Sequence, residues 1–380
     1  MMIPELPNYI ESMGGGELKG FIIFIFTVAA GLSRPFSGKL SDTVGRVPVI
    51  IFGAIVCVLC GLIYPFANTI FAFLFLRFIH GLSTGFTPTG TSAYVADIST
   101  LKNRGEAIGI QGLCANIGAA IGPYFGSIIT ASYSMDAMFY ASSGMALFSV
   151  LILLGLPETL ENTVGFTPKL LRLNRYDLIE KRVLFPALIM VLLMFSFGVV
   201  VTVIPDLSIY LGMAQKDKGL FYLYLTLASI AVRLFAGKAS DKYGRAHILK
   251  ISAFLLGFAM LGIYFVQTPN QLMGCAVLFG LATGIAAPTI FAWTIDLSLD
   301  KFRGRAMGTI YIALEAGVGM GALIAGWIYG NKAENLQKVF LFASILSFIG
   351  LFLLIFHTFR KNRIRQAEQE NTPENKLETI

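Results

Sequence analysis

Charged residues are scarce in this sequence. They make up 13% of its 380 residues, whereas a soluble domain carries about 25%. Hydrophobic residues make up 56%, and the mean hydropathy is +0.73. Apolar runs of about twenty residues recur from end to end, each long enough to cross a bilayer as a helix. A soluble fold is therefore excluded, and the sequence predicts an all-α polytopic membrane protein.

Cysteine and histidine are also rare, with four and three residues. Cys57 and Cys60 form a C-x-x-C inside an apolar run, with neither a second pair nor clustered histidines to complete a zinc site. We expect these thiols to be packing residues and expect neither a metal nor a cofactor. The sequence has no P-loop, H-E-x-x-H or nucleophile elbow. It is therefore not predicted to be an enzyme.

The net charge of +7 is explained by topology. Of 29 Lys and Arg, 21 fall in alternate connections between apolar runs and in the C-terminal tail. This asymmetry is the positive-inside rule, and it places the C-terminus in the cytoplasm. We expect a multi-pass protein of the plasma (inner) membrane with the lipid bilayer as a partner, and no nucleic acid.

The apolar runs define eleven predicted spans, near 20–38, 47–66, 69–96, 105–132, 135–156, 183–207, 219–237, 247–266, 270–296, 304–330 and 337–359. Their odd number conflicts with an internal repeat. Residues 34–46 and 233–245 match at eight of thirteen positions with an offset of 199 residues. In the second half one further apolar run precedes the repeat, and it has no counterpart in the first. We expect that the first helix of the first half is encoded upstream, the alternative being a genuine eleven-helix protein.

The repeated phrase contains a Gly-x-x-x-Asp-x-x-Gly-Arg turn between two apolar runs. Its residues are Gly38, Asp42, Gly45 and Arg46 in the first copy, and Gly237, Asp241, Gly244 and Arg245 in the second. The phrase resembles the loop signature of the major facilitator superfamily, between the second and third helices of each half. The resemblance implies two pseudo-symmetric helical bundles, with these residues as a cytoplasmic gate. Such pairs can form in one conformation and break in the other, or they merely orient the loops.

The repeat and the polar breaks predict the domain boundaries. We expect an N-terminal bundle over 1–156, a cytoplasmic linker over 157–182, a six-helix C-terminal bundle over 183–359 and a disordered tail over 360–380. The tail is charged and lacks aromatic residues, which is typical of disorder.

Arg77 lies inside the third predicted span, in Arg77-Phe-Ile-His80-Gly81. It resembles the intramembrane arginine signature of the superfamily, which is associated with proton coupling. Since a bare arginine in hydrocarbon is costly, it should face the cavity or a partner. The alternative is that its side chain reaches the outer headgroups. We expect His80 to be a packed, hydrogen-bonded histidine.

A glycine ladder marks the fourth predicted span: Gly118, Gly122 and Gly126, with Pro123 after the second glycine. Small residues at spacing four let a neighbouring helix approach closely, and the proline bends the helix. The pattern resembles the fifth-helix signature of the twelve-helix drug:proton antiporters. The alternative is a glycine-rich packing face that carries no information on transport direction.

Glu315 is the strongest candidate for a functional residue, because it lies in the middle of the tenth predicted span. The repeat pairs it with Asn116, so we expect the two to face each other across the pseudo-twofold axis. A carboxyl in hydrocarbon can load and release a proton as water access alternates. Alternatively it is permanently neutral, or it binds a cationic substrate. Gln111, Asn116 and Glu315 are the predicted substrate-binding residues, and Arg77 and Glu315 the predicted proton-coupling residues.

These features predict a secondary transporter for a small-molecule substrate. The 32 phenylalanines favour lipophilic or cationic compounds over sugars, and the resemblance implies efflux driven by protons. The alternatives are a proton symporter or facilitator for a nutrient, and a membrane scaffold or sensor that transports nothing. Glu5 and Asp206 lie at the outer ends of helices, where gating or headgroup contacts are expected. We expect a monomer.

Overall fold

A computed structural model describes residues 1–99, 104–172, 179–298 and 303–370, and this part of the chain is helical without strands. The helices are α1 Leu6–Ser12, α2 Lys19–Thr43, α3 Arg46–Ile63, α4 Ile70–Ile98, α5 Arg104–Ser132, α6 Met135–Leu153, α7 Leu184–Tyr210, α8 Leu220–Tyr243, α9 Arg245–Tyr264, α10 Pro269–Leu297, α11 Arg303–Tyr329 and α12 Lys338–Glu370. Ten of the described helices are long and apolar enough to span a membrane, and α8, which bends by 49°, is the eleventh. The predicted count is confirmed.

Short polar signals set several helix boundaries. Thr69 and Thr268 begin α4 and α10 by accepting a hydrogen bond from the first-turn backbone, and Thr268 completes a capping box with Gln271. Gly45 and Gly244 separate α2 from α3 and α8 from α9, with φ of 137° and 90°. Only glycine adopts such angles without strain, which explains why both copies of the turn keep it.

The helices pack as two halves, α1–α6 and α7–α12. In the first half α4 packs on α2 and α3, and α6 packs on α3; in the second, α10 packs on α8 and α9, and α12 packs on α9 and α7. Contacts between the halves run mainly along α2 with α11 and α5 with α8. These two crossings form the walls of the cavities described below.

The two crossings are tight at one end only. We call the end that carries both Gly-Arg turns the motif end, and the other the opposite end. At the opposite end a Cβ on Gly20 would lie 2.3 Å from the carbonyl oxygen of Ala322, and one on Gly219 would lie 2.5 Å from Cα of Tyr124. Toward the motif end, Gly38 of α2 and Gly308 of α11 have open space around them. The halves are therefore joined at the opposite end and diverge at the motif end.

The tail over 360–380 was expected to be disordered, and the structure describes its first part, where α12 continues as a helix to Glu370. Residues 360–370 contain mainly Arg, Lys, Gln, Ala and Glu, which have high helix propensity, and no glycine or proline. Residues 371–380 lie outside the described residues.

The linker docks on the turn of the first half through Glu158. Its carboxylate accepts hydrogen bonds at 3.0 Å from the backbone N–H groups of Arg46 and Val47, the first residues of α3. It also accepts from the backbone N–H groups of Thr159 and Leu160. Burial raises the pKa of Glu158, but these four N–H donors together lower it below its ordinary value. The carboxylate thus caps a helix N-terminus from a distant part of the chain.

We expect Glu158→Gln to lower the melting temperature slightly near neutral pH. The loss in the free energy of unfolding should be at most about 1 kcal/mol, because the side chain is exposed. A carboxyl with a lowered folded-state pKa stabilises the fold above its ordinary pKa, and this contribution disappears as the pH falls through the lowered value. The difference between wild type and variant, followed by thermal melts in detergent, should therefore vanish in acid. The exposed linker residue Glu161, changed to Gln, is the control. A difference that persists below the lowered pKa would contradict this account.

Candidate functional site

The predicted gate residues form the same network in both halves. Arg46 contacts Asp42 at 2.5 Å and Asp97 of α4 at 3.0 Å. Its counterpart Arg245 pairs with Asp241, and with Asp296 of α10 at 2.9 Å. Each arginine thereby ties its turn to another helix of its own half. These ion pairs do not join the two halves in this conformation.

The local geometry requires glycine at two of the four motif glycines and not at the other two. Gly45 and Gly244 adopt positive φ, and a Cβ on Gly45 would lie 2.5 Å from Glu158 Oε2. Gly38 and Gly237 have nothing within 4 Å of the position of a Cβ. No described part of the chain therefore approaches these two glycines closely in this conformation.

The central feature between the halves is a buried ion pair. Arg34 Nη2 on α2 donates to Glu315 Oε1 on α11 at 3.0 Å, and both side chains are at most 7% exposed. The guanidinium carbon of Arg34 lies 4.3 Å from the centre of the Tyr311 ring, also on α11. Because each charge neutralises the other, both can lie in the apolar interior. Sequence analysis singled out Glu315 but did not assign Arg34 as its partner.

Glu315 also lines the larger cavity, of about 560 Å³, between α2 and α11. The other lining residues are apolar or small, and among them are Phe24, Phe36, Ile312 and Met320. Ile179 of the linker lines the same cavity. The neighbouring Glu180 pairs with Arg305 through its carboxylate, and its backbone N–H donates a hydrogen bond to the Thr309 hydroxyl. The cavity therefore offers one carboxylate in an apolar wall.

Asn116 lines a second cavity, of about 370 Å³, and not the one that contains Glu315. Asn116 and Glu315 therefore line different cavities, although Leu314 and Val318 of α11 line the second cavity together with Asn116. The second cavity is more polar: besides Asn116 its hydrogen-bonding residues are Tyr222, Thr226, Ser229, Arg233 and Thr283.

Gln111 lines neither of these cavities. Its Nε2 donates to Ser92 Oγ of α4 at 3.1 Å, and its Oε1 is buried without a hydrogen-bond partner in the described part of the chain. The bond ties α5 to α4 inside the first half. The geometry gives no reason to place Gln111 at a substrate.

Arg77 is 4% exposed and lies in the core of the first half. Its Nε donates to the carbonyl of Ile22 at 3.3 Å, its Nη1 contacts the Tyr64 hydroxyl at 3.4 Å, and it stacks on the ring of Phe26. Among the described residues no carboxylate pairs with it. His80 is packed as expected, 3.1 Å from the same Tyr64 hydroxyl.

The glycine ladder of α5 meets two neighbours. Gly122 and Gly126 face the backbone of Met1, and a Cβ on Gly126 would lie 2.1 Å from the Met1 carbonyl oxygen. The backbone at Pro123 contacts Gly219 of α8, while Gly118 faces open space. The ladder thus packs against chain segments from both halves at the opposite end.

Comparison with known proteins identifies the family. The family model of the Major Facilitator Superfamily matches residues 1–198 and again 186–379. The chain belongs to the Major Facilitator Superfamily. It is therefore a multi-pass membrane transporter rather than an enzyme, and the predicted fold is confirmed.

Individual relatives are distant but span most of the chain. Multidrug resistance protein 2 of Bacillus subtilis is 25% identical, covering 95% of this chain and 92% of that protein. Multidrug resistance protein MdtG of Serratia proteamaculans is 28% identical, covering 80% of this chain and 77% of that protein. The crystal structure of the human organic anion transporter MFSD10 superposes with a TM-score of 0.68 at 21% identity, covering 91% and 87%. The predicted resemblance to the drug antiporters of the superfamily is confirmed by these names.

Two more ion pairs join the halves of this superfamily member at the opposite end. Lys19 of α2 contacts Asp206 of α7 at 2.5 Å, and Lys218 contacts Glu5 at 3.3 Å. Both lysines are buried, and the repeat relates one to the other. Sequence analysis placed Glu5 and Asp206 at the outer ends of helices, where gating or headgroup contacts were expected. The complementary pair of lysines was the missed signal, since each carboxylate meets the lysine of the other half.

The two pairs differ in what else surrounds the lysine. Lys19 also contacts Glu11 at 2.7 Å and Asn331 at 2.9 Å. Glu5 has a further bond from Ser127 at 2.7 Å, but Lys218 has Glu5 as its one carboxylate partner among the described residues. Loss of Glu5 would therefore leave a buried charge unpaired, and loss of Asp206 would not.

We expect Glu5→Gln to destabilise the protein by about 3–5 kcal/mol, because it breaks a buried pair and leaves Lys218 uncompensated. Asp206→Asn should cost clearly less, because Lys19 keeps Glu11. Thermal melts of both variants in the same detergent compare the two losses directly. Equal shifts in melting temperature would show that the surroundings of the lysines do not matter.

Proposed function

We propose that this transporter exports small lipophilic compounds in exchange for protons by alternating access. The motif end would face the cytoplasm of a cell whose plasma membrane holds the protein, with the C-terminus on the same side and the protein acting as a monomer. The basic connections at that end and the multidrug-resistance names of the relatives support this assignment. Divergence of the halves at the motif end fits a conformation open to the cytoplasm.

The observation that carries the proposal is the Arg34–Glu315 ion pair. It joins α2 of one half to α11 of the other, and its carboxylate lines the larger cavity. Protonation of Glu315 would remove the negative charge and leave Arg34 without its partner. The crossing would then favour a different relative position of the halves, so that proton loading and conformational exchange are coupled.

The larger cavity suits lipophilic substrates. Its wall is apolar apart from Glu315 and the Thr27 hydroxyl, so it offers few of the hydrogen bonds that sugars require. A lipophilic cation could take the place of Arg34 at the carboxylate, so that substrate and proton compete for Glu315.

Arg77 would act in coupling only indirectly. Its contacts to the Ile22 carbonyl and the Phe26 ring are both to α2, the helix that carries Arg34. We propose that Arg77 orients α2 within the first half, and that Glu315 binds the proton.

A transport assay tests this proposal. Inside-out vesicles with an acidic lumen and a pH-sensitive dye are challenged with lipophilic cations, antibiotics and sugars. We expect proton release on addition of a lipophilic compound, and its loss in Glu315→Gln, which has no titratable group at this position. Glu334→Gln, at an exposed loop residue, is the matched control and should behave as wild type.

Proton release that survives in Glu315→Gln would refute Glu315 as the coupling residue. A response to sugars with flux toward the cytoplasm would instead support the alternative of a proton symporter or facilitator for a nutrient. Absence of any response would exclude a proton antiporter for the compounds tested.

A second variant tests alternating access itself. A Cβ on Gly31 of α2 would lie 3.7 Å from Glu315 Cβ, and Gly38, two turns further on, continues the same face into open space. If α11 closes on this face, Gly38→Leu will obstruct it, at a cost of about 1–3 kcal/mol in the closed state, roughly 5- to 150-fold in its population. We expect unchanged melting temperature and strongly reduced transport. Gly144→Leu, at another open and exposed glycine, should leave both unchanged, and wild-type transport in Gly38→Leu would contradict the closure.

A further inference from the structure

The second cavity contains an arginine without a carboxylate partner. Arg233 of α8 is half-buried and lines the cavity. Its Nε donates to Ser229 Oγ at 3.3 Å, four residues earlier on the same helix. Among the described residues no carboxylate lies within ion-pair distance of Arg233, and no acidic residue lines the cavity. A cation in the interior of a membrane protein requires a counter-charge or water.

The internal repeat shows how the surroundings of Arg233 differ from those of its counterpart Arg34. The offset of 199 residues relates Arg34 to Arg233 and Asn116 to Glu315. In the α2–α11 crossing, Arg34 meets the carboxylate of Glu315. In the symmetric α5–α8 crossing, Arg233 and Asn116 line one cavity, so the position of the carboxylate holds an amide. The arginine at the α2–α11 crossing thus has a carboxylate from the protein, and the arginine at the α5–α8 crossing does not have one among the described residues.

The rest of the lining favours an amphipathic ligand. Met194, Phe197, Leu314 and Val318 give an apolar wall, and Tyr222 adds a buried hydroxyl with no hydrogen-bond partner in the described part of the chain. The volume of about 370 Å³ lies within the range of small-molecule sites. One anionic group on a lipophilic body would match this combination.

We propose that this second cavity, lined by residues of α5, α7, α8, α10 and α11, binds a small lipophilic organic anion, with its carboxylate on Arg233 in the role that Glu315 has for Arg34. The Asn116 amide donates a hydrogen bond to the same carboxylate. This site is distinct from the larger cavity at Glu315, and binding to it requires neither a proton gradient nor export.

Equilibrium dialysis on purified protein in phosphatidylcholine nanodiscs tests the proposal with naphthoate and its uncharged analogue naphthamide. We expect naphthoate to bind better than naphthamide, and Arg233→Gln to weaken naphthoate binding by about tenfold or more, as loss of a charge-assisted hydrogen bond implies. Arg182→Gln, which removes an exposed positive charge of the linker, should bind as wild type.

Asn116→Glu is the decisive variant. It places a carboxylate beside Arg233, reproduces the symmetric ion pair and should abolish naphthoate binding without loss of thermal stability. This result stands even if Arg233→Gln fails to fold. Equal binding of naphthoate and naphthamide, or full naphthoate binding by Asn116→Glu, would overturn the proposal.

The source of the anion is tested separately. If phosphatidylglycerol in the nanodisc competes with naphthoate, the site binds an anionic lipid headgroup. If it does not compete, the site binds soluble carboxylates. In both cases binding must depend on Arg233. Because dialysis measures binding alone, anion binding without proton-coupled efflux would refute the proposed function and leave this site intact.

Discussion

The need to neutralise buried charge determines how the two halves of this protein meet. Lys19, Lys218 and Arg34 are each at most 8% exposed, and each finds its carboxylate on the other half. Separating the halves would leave these charges in an apolar surrounding, which is far more costly than losing surface ion pairs. The halves can therefore move apart only where water, a proton or a ligand replaces the missing charge. Conformational change and binding are linked by this constraint.

The inter-half contacts follow the repeat, but not perfectly. At the opposite end the pairing between the halves is symmetric, since Lys19 and Lys218 each pair with an acid of the other half. In the middle of the membrane it is broken, because Glu315 has Asn116 as its counterpart. Equivalent ion pairs thus hold the two halves together at the opposite end. The two cavities are chemically different, one acidic and one basic, and the exchange of Glu315 for Asn116 is one part of this difference.

Much of the fold could be predicted from periodicity and repetition. The eleven long helices, the two halves and both Gly-Arg turns follow from apolar runs and an offset that needs no coordinates. Partners across the halves could not be predicted, because helices of similar hydrophobicity can pack in several arrangements. Glu315 was recognised as unusual, but its partner Arg34 was not identified. Arg77 was expected to face the cavity or a partner, and it lies in a core where a backbone carbonyl and an aromatic ring are its partners.

The different chemistry of the two crossings bears on how substrates could be selected. At the α2–α11 crossing a ligand must compete with Arg34 for an acid, which favours a cation or a proton. At the α5–α8 crossing an anion would meet Arg233 without displacing any carboxylate of the described chain. A ligand at the first crossing would break a contact between the halves, and one at the second would create a contact. Ligands of opposite charge would thus bias the same conformational equilibrium through symmetric positions and in opposite senses.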